Sequence, residues 1–181
     1  MPYPFHTIGH STRLIAEFVA LLRVADIGLV IDIRSVRRSR ANPQFNSDVL
    51  PGELAPFGIG YENIAELGGL RGKAHDIPPT LNAFWINQSF HNYADYALSA
   101  EFHRGLDRLV YLGRQRRCAI MCSEALWWRC HRRIVADYLL SRGETVFHLM
   151  GHDKVERAQL TDGVRAREDG RLVYPPSQPS S

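Results

Sequence analysis

The apolar run Cys118–Met121 constrains the fold most, because it fits a buried strand and leads directly into a helical pattern. After a polar segment, apolar residues recur at helical spacing over Ile134–Leu139. A second run, Leu29–Ile33, is apolar on both faces except at Asp32, which is typical of an interior strand in a parallel sheet. The two runs predict a sheet that is covered on both sides.

Other strands and helices alternate with these runs. The apolar patterns predict further strands at Phe5–Ile8, Gly60–Ile64 and Thr145–Met150, and a small hairpin around Asp169-Gly170. Helical spacing predicts helices from Ile15 onward, over about 47–57 and over about 92–116, and a helix end near Gly143. The Gly- and Pro-rich segment 68–79 predicts a long loop of the kind that often binds ligands.

This alternation predicts a three-layer α/β fold, with a mainly parallel sheet of about five strands and a small C-terminal β-hairpin. We expect a single domain over residues 1–174 and a disordered tail over 175–181, which is polar and rich in Pro and Ser. The 181 residues, 45% of them apolar, are enough for one core and few for two.

The composition also restricts the setting in which the protein works. Three cysteines without a charged and then apolar leader argue against secretion and against a disulfide framework. No apolar stretch approaches the roughly 20 residues of a membrane span. We therefore expect a cytoplasmic protein with reduced thiols and no membrane partner.

Chemically active side chains follow several of the predicted strands. Since the carboxyl ends of parallel strands meet at one edge, we expect these side chains to share a cleft there. They are His10, Ser11, Arg34, Cys122, Glu124 and His152.

Cys122 is the candidate nucleophile, because a helix amino end and nearby arginines favour a thiolate. The alternative, a small buried hydrophobic residue, has equal weight. His10 and Glu124 are candidates for proton transfer. Ser11 either binds ligand or caps the first helix.

Arginines are the candidate anion ligands. The chain carries a net charge of +3, and its arginines are clustered at 34–40 and 129–133. Arg34, Arg40 and Arg132 are expected to hold a phosphate, since guanidinium offers bidentate donors. Asp32 is expected to be paired, because an unpaired carboxylate is costly in an apolar strand, and either Arg34 or a helix amino terminus could satisfy it. A buried structural ion pair is the favoured role.

Three alternatives remain open. Cys122, Cys130, His131 and His10 are the right residue types for zinc, although the spacing of the two cysteines matches no usual zinc motif. A redox-sensing protein centred on the cysteines is equally compatible with these residues. A nucleic-acid-binding module without chemistry would use Arg37-Arg38 and Arg116-Arg117 on phosphates. A cysteine phosphatase is disfavoured, because Arg129 comes one position too late after Cys122.

The chain resembles the domain-of-unknown-function family 488 of bacteria and archaea over about residues 5–150. Three groups of motifs carry the resemblance: Thr7–Arg13; Asp32–Ser35 with Ser39-Arg40 and Pro43–Asn46; and Cys122–Glu124 with Cys130–Arg132. Leu67–Gly69 and Val146–Leu149 also match family positions. Val36 and Leu14 depart from the family, which usually has proline and a helix-capping serine there. The resemblance implies an α/β fold and strengthens the motif residues as candidates, but it implies no substrate.

Together these patterns predict an enzyme that binds a phosphorylated ligand, such as a nucleotide or a nucleic-acid end. The predicted catalytic residues are Cys122, Glu124 and His10. The predicted ligand-binding residues are Ser11, Arg34, Arg40, Cys130, His131 and Arg132. The sequence identifies no cofactor and no oligomeric state.

Overall fold

The two apolar runs lie side by side at the centre of a six-stranded sheet. This computed structural model describes residues 2–152 and 154–177, so residues 178–181 of the predicted tail lie outside the described residues. The strands are β1 (Phe5–Gly9), β2 (Leu29–Asp32), β3 (Gly60–Asn63), β4 (Cys118–Cys122), β5 (Val146–Gly151), β6 (Lys154–Arg157), β7 (Arg165–Ala166) and β8 (Leu172–Val173). The helices are α1 (Ile15–Arg23), α2 (Leu50–Leu54), α3 (Gln88–Tyr96), α4 (Ala100–Gln115) and α5 (Arg132–Ser141).

The main sheet has the order β3-β2-β4-β1-β5-β6, and β7 and β8 form a separate hairpin. β1 to β5 are parallel, while β6 runs antiparallel to β5. Helices α1 and α2 pack on one face, and α3, α4 and α5 pack on the other. Since both faces are covered, the residues of the interior strands are mostly buried. The predicted three-layer α/β fold with a small hairpin is confirmed.

The chain segments that follow the neighbouring parallel strands β1 and β4 lead to opposite sides of the sheet. β1 leads through α1 to β2 on one side, whereas β4 leads through α5 to β5 on the other side and across the opposite face. In open α/β sheets such a reversal leaves a crevice outside the carboxyl ends of the strands. The carboxyl end of β4 is therefore the place where this fold favours a ligand site.

Three details differ from the sequence-based expectations. The single helix predicted over 92–116 is two helices, because Ser99 begins α4 and its hydroxyl accepts a hydrogen bond from the Phe102 amide at 3.2 Å. The helix predicted over 47–57 is α2 followed by a short 3₁₀ helix, Ala55–Phe57. The exposed edge strand β6 was not predicted.

The first helix is capped in an unusual way. Leu14 stands at its N-cap, where it offers no side-chain acceptor, and the Leu14 amide instead donates to Glu17 at 3.1 Å. Neither Ser11 nor Thr12 is the cap residue, so the capping role considered for Ser11 is wrong.

Among the described residues, no helix combines the length and apolarity needed to cross a bilayer.

Candidate functional site

A cleft of about 290 Å³ opens at the carboxyl end of β4. Its walls come from four segments: the end of β2, the glycine-rich loop after β3, the start of α3, and the loop that joins β4 to α5. The lining residues used below are Arg34, Ser35, Gly69, Leu70, Phe90, Cys122, Glu124, Arg129, Cys130 and His131.

The β4–α5 loop rests on the backbone that follows β1. The amides of His10 and Ser11 donate to the carbonyls of Cys122 and Ser123 at 2.9 and 3.0 Å. A side-chain carbon at Gly9 would overlap the Glu124 carbonyl. Glycine is therefore required at this position, because the loop approaches the strand more closely than any side chain allows.

The two cleft cysteines differ in acidity. Burial raises the pKa of Cys122 well above its ordinary value, and a hydrogen bond with Cys130 raises it further. Burial acts in the same direction on Cys130, but the bond from Cys122 and the charge of Arg132 lower the pKa of Cys130 to about 7. Of the two thiols, Cys130 therefore has the lower pKa.

His131 lies beside the more acidic thiol. Its Nε2 is 2.9 Å from the Ile33 carbonyl, which can only accept, so Nε2 carries the proton. Nδ1 is then an acceptor, 3.4 Å from the Cys130 sulfur. Burial lowers the pKa of His131, which favours the neutral ring. The arrangement is a thiol and an imidazole whose tautomer is fixed by a backbone carbonyl.

Arg132 lies beneath both thiols and is fully buried. It donates to the Thr7 hydroxyl at 3.1 Å and to the Glu124 carbonyl at 2.6 Å, and its amide donates to the Cys130 sulfur at 3.5 Å. Arg132 Nε has no hydrogen-bond partner within residues 2–152 and 154–177. This side chain faces the sulfurs and not the open cleft, which differs from the predicted contact with a ligand phosphate.

Arg34 is held by a buried ion pair, as predicted. Its Nε and one terminal nitrogen donate to the Asp32 carboxylate at 2.9 and 2.8 Å, and Asp32 also accepts from Tyr61 at 2.5 Å. The remaining nitrogen lies 3.2 Å from His10 Nε2. Arg34 therefore lines the cleft with its side chain held in one position, and few of its N–H groups are free to bind a ligand.

His10 has both ring nitrogens occupied. Nδ1 lies 2.8 Å from the Ser11 carbonyl, which only accepts, so Nδ1 is the protonated nitrogen and Nε2 accepts from Arg34. Burial lowers the pKa of His10 to about 4. The ring also stacks on Phe45. His10 holds Arg34 in place in this geometry, and its expected role in proton transfer has no free nitrogen to use.

Glu124 lies where the cleft meets a second, more polar hollow. Both are lined by Arg34, Val36, Ser123 and Glu124. One Glu124 oxygen accepts from the Leu126 amide at 3.2 Å.

The second hollow carries the remaining polar candidates. It also contains Ser11, in a left-handed backbone conformation with φ of 49°, together with Arg38 and Ser39. Arg40 lies farther on, in a third hollow that shares Arg38 and Ser39 with the second.

The structure thus brings most of the predicted site residues together. Cys122, Glu124, Arg34, Cys130 and His131 line one cleft. His10 and Ser11 line the adjoining hollow with Arg34 and Glu124. Arg132 lies below the cleft and Arg40 outside it. His152 is exposed and lines none of these three hollows.

Several cleft residues were not singled out from the sequence. Gly69 and Leu70 lie in the loop that was predicted to bind ligands, so that pattern was a usable signal. A side-chain carbon at Gly69 would come within 2.6 Å of His131 Nδ1, which explains the glycine. Phe90 and Arg129 also line the cleft. For Phe90 no sequence signal existed.

The alternatives fare unequally in this geometry. In the described part of the chain, no group of three His, Cys, Asp or Glu side chains has an arrangement that could hold a metal ion. The two basic segments of the nucleic-acid alternative lie at opposite ends of strand β2. Arg37-Arg38 follow the carboxyl end of β2, whereas the Arg117 carbonyl bonds the amides at the amino end of that strand.

Comparisons with known proteins identify one family. The family model described as "Domain of unknown function DUF488" matches residues 14–139, which include the whole stretch from α1 to most of α5. No curated protein and no solved structure matches the chain.

Proposed function

The chain belongs to the domain-of-unknown-function family DUF488, and from the chemistry of its cleft we propose that it is an enzyme that attacks a phosphorylated ligand with the Cys130 thiolate. His131 accepts the thiol proton at Nδ1. Arg132 stabilises the thiolate from below. This assignment moves the nucleophile from Cys122 to Cys130 and keeps the reaction class, nucleophilic catalysis by a cysteine.

One observation carries the proposal: the environment of the Cys130 sulfur is that of an anion. The positively charged Arg132 guanidinium is fully buried and interacts with both sulfurs, so it favours a thiolate there. The Arg132 amide at the start of α5 adds a second donor, and a helix amino end favours negative charge.

The paired imidazole supports the same conclusion. A nucleophilic cysteine requires a base within hydrogen-bonding reach and a third group that orients the base. His131 Nδ1 at 3.4 Å and the Ile33 carbonyl at 2.9 Å supply both. Glu124, on the border of the cleft and the second hollow, is placed to exchange a proton with a bound ligand.

The charge around the cleft supports a phosphorylated ligand, such as a nucleotide or a nucleic-acid end. Arg129 lines the cleft itself, and its side chain is exposed. Arg38 and Arg40 line the hollows that continue from it. A ligand with its reactive centre over Cys130 would place its phosphate toward these guanidiniums, which bind phosphate bidentately.

The thiol chemistry is tested by pulse alkylation with iodoacetamide across pH 5 to 10, followed by peptide mapping. We expect Cys130 to react with a midpoint near pH 7. Cys118 is the matched control, since it lies buried at the other end of β4 and burial raises its pKa to about 12. A Cys130 midpoint at or above pH 9 refutes the thiolate assignment.

Ligand class is tested by thermal shift with inorganic phosphate, nucleoside monophosphates and 5′-phosphorylated oligonucleotides. Arg129→Gln and Arg40→Gln should each weaken binding about tenfold, the value of one charge-assisted hydrogen bond. Arg142→Gln, at the far end of α5, is the control. Binding of one small phosphorylated compound that persists at high salt supports the enzyme. Binding only of oligonucleotides, lost steeply with salt, supports the nucleic-acid module instead.

A further inference from the structure

A second thiol lies against the proposed nucleophile, and nucleophilic catalysis alone does not require it. Cys122 and Cys130 are both free, both line the cleft, and their side chains lie close enough to affect each other's pKa. Cys122 also points at the Glu124 carbonyl, with its sulfur 3.7 Å from that oxygen. A protonated thiol is therefore held beside one that ionises readily.

We propose that Cys130 and Cys122 react with a hydroperoxide in this cleft and form a reversible disulfide. The inference rests on the proposed function in one respect, since the same Cys130 thiolate begins both reactions. It adds a second activity, the two-electron reduction of a small hydroperoxide, to the same site.

The reaction proceeds in two steps. The Cys130 thiolate attacks the distal peroxide oxygen, the O–O bond breaks, and the alkoxide takes the proton held at His131 Nδ1 and leaves as an alcohol or as water. Cys130 is now a sulfenic acid. The Cys122 sulfur then attacks the Cys130 sulfur, the S–O bond breaks, and the hydroxyl leaves with the Cys122 proton as water. Two thiols are oxidised, one hydroperoxide is reduced, and an external thiol restores the pair.

The two cysteines are not interchangeable in these steps. The Cys130 sulfur accepts a hydrogen bond from the Arg132 amide and lies beside the His131 imidazole, so Cys130 is the attacking thiol. Cys122 ends β4, and its carbonyl accepts a hydrogen bond from the His10 amide. It is therefore the resolving thiol.

The third cysteine provides a built-in control. Cys118 and Cys122 are four residues apart on one strand, which separates them by about 13 Å at the usual rise of a strand. A disulfide requires the two sulfurs to come within about 2 Å. Cys118 therefore cannot bridge Cys122 while the sheet is intact.

Disulfide formation also changes the proposed activity. The bond removes the Cys130 thiolate, so alkylation of Cys130 stops. The first reaction should therefore be switched off by peroxide and restored by a thiol reductant.

The test treats the purified protein with hydrogen peroxide and follows intact mass and disulfide peptides. The wild-type chain should lose about 2 Da, the mass of two hydrogens, with the bond mapped between Cys122 and Cys130 and removed by dithiothreitol. Cys118→Ala should behave in the same way. Cys122→Ala should lose the crosslink and accumulate a Cys130 sulfenic acid, trapped as a dimedone adduct.

Two results overturn the inference: oxidation of Cys130 to sulfinic acid in the wild type without any Cys122 bond, or a crosslink that involves Cys118. The Cys122→Ala variant separates this inference from the proposed function. If its Cys130 still alkylates with a midpoint near pH 7 while the wild type forms no disulfide, only the peroxide reaction is wrong. If Cys130 alkylates as an ordinary thiol in every variant, the thiolate assignment fails first.

Discussion

Removing the charge of Asp32 tests whether the buried ion pair fixes the cleft wall. The Asp32 carboxylate accepts from the Arg34 amide at 3.0 Å, from two Arg34 side-chain nitrogens at 2.9 and 2.8 Å, and from Tyr61 at 2.5 Å. Asp32→Asn preserves the size of the side chain but turns an amide NH₂ toward these donors. Arg34 is left charged, 5% exposed and paired only with the Phe45 carbonyl and His10.

The expected loss follows from this burial. Removing one partner of a buried ion pair costs about 3–5 kcal/mol, because the other charge stays uncompensated. For a chain of this size each kcal/mol lowers Tm by about 2–4 °C. Asp32→Asn should therefore lower Tm by about 6–20 °C, measured by circular dichroism, with a matching loss in the free energy of unfolding by urea.

The matched control is Asp107→Asn. Asp107 pairs with Arg142 at 2.9 Å, almost the same distance, but its side chain is 70% exposed. Exposed pairs contribute about 0–1 kcal/mol. Equal losses in the two variants, or an unchanged Tm in Asp32→Asn, would refute the argument that burial makes the Asp32 pair essential.

Three further expectations concern the framework of the site. Gly9→Ala should destabilise the fold by about 1–3 kcal/mol and displace the loop at Glu124, because the new methyl overlaps that carbonyl; an unchanged urea midpoint would contradict this. Ser99→Ala should cost about 1 kcal/mol through the lost helix cap, and Ser99→Asp should restore most of it. Burial lowers the pKa of His10 to about 4 and of His148 to about 3, against 6.5 in the unfolded chain. The stability that these neutral rings contribute is therefore fully present above pH 6.5 and is lost as the pH falls from there toward 4. A free energy of unfolding that stays constant between pH 7 and pH 4.5 would exclude this dependence.

The strands were predictable from the sequence because burial on both faces leaves a local signature. The run at Leu29 and the run at Cys118 contain almost no polar residue, and that pattern needs no knowledge of the partner strands. The edge strand β6 lacks this signature, since its residues Lys154–Arg157 face solvent. The break at Ser99 was also a local signal, but the long apolar stripe around it favoured one continuous helix.

The sequence predicted which residues gather at the site better than it predicted the role of each residue. Convergence follows from parallel strands, so His10, Arg34 and Cys122 were expected at one edge. Which cysteine ionises depends on contacts that no local pattern encodes: Arg132 turns inward and faces both sulfurs, and His131 reaches the carbonyl of Ile33, 98 residues away in sequence. The order of the residues alone therefore does not distinguish the two thiols.

Carbonyl oxygens of the main chain accept a hydrogen bond from each of three groups around the thiols. His131 is aligned by Ile33, Arg132 by Glu124, and His10 by Ser11. Every amino acid presents the same carbonyl, so exchanging the side chains that supply these oxygens leaves the reactive geometry standing. Substitutions of the Leu70 and Phe90 side chains, which line the cleft, accordingly change the surface that a ligand would meet without removing any of these three hydrogen bonds.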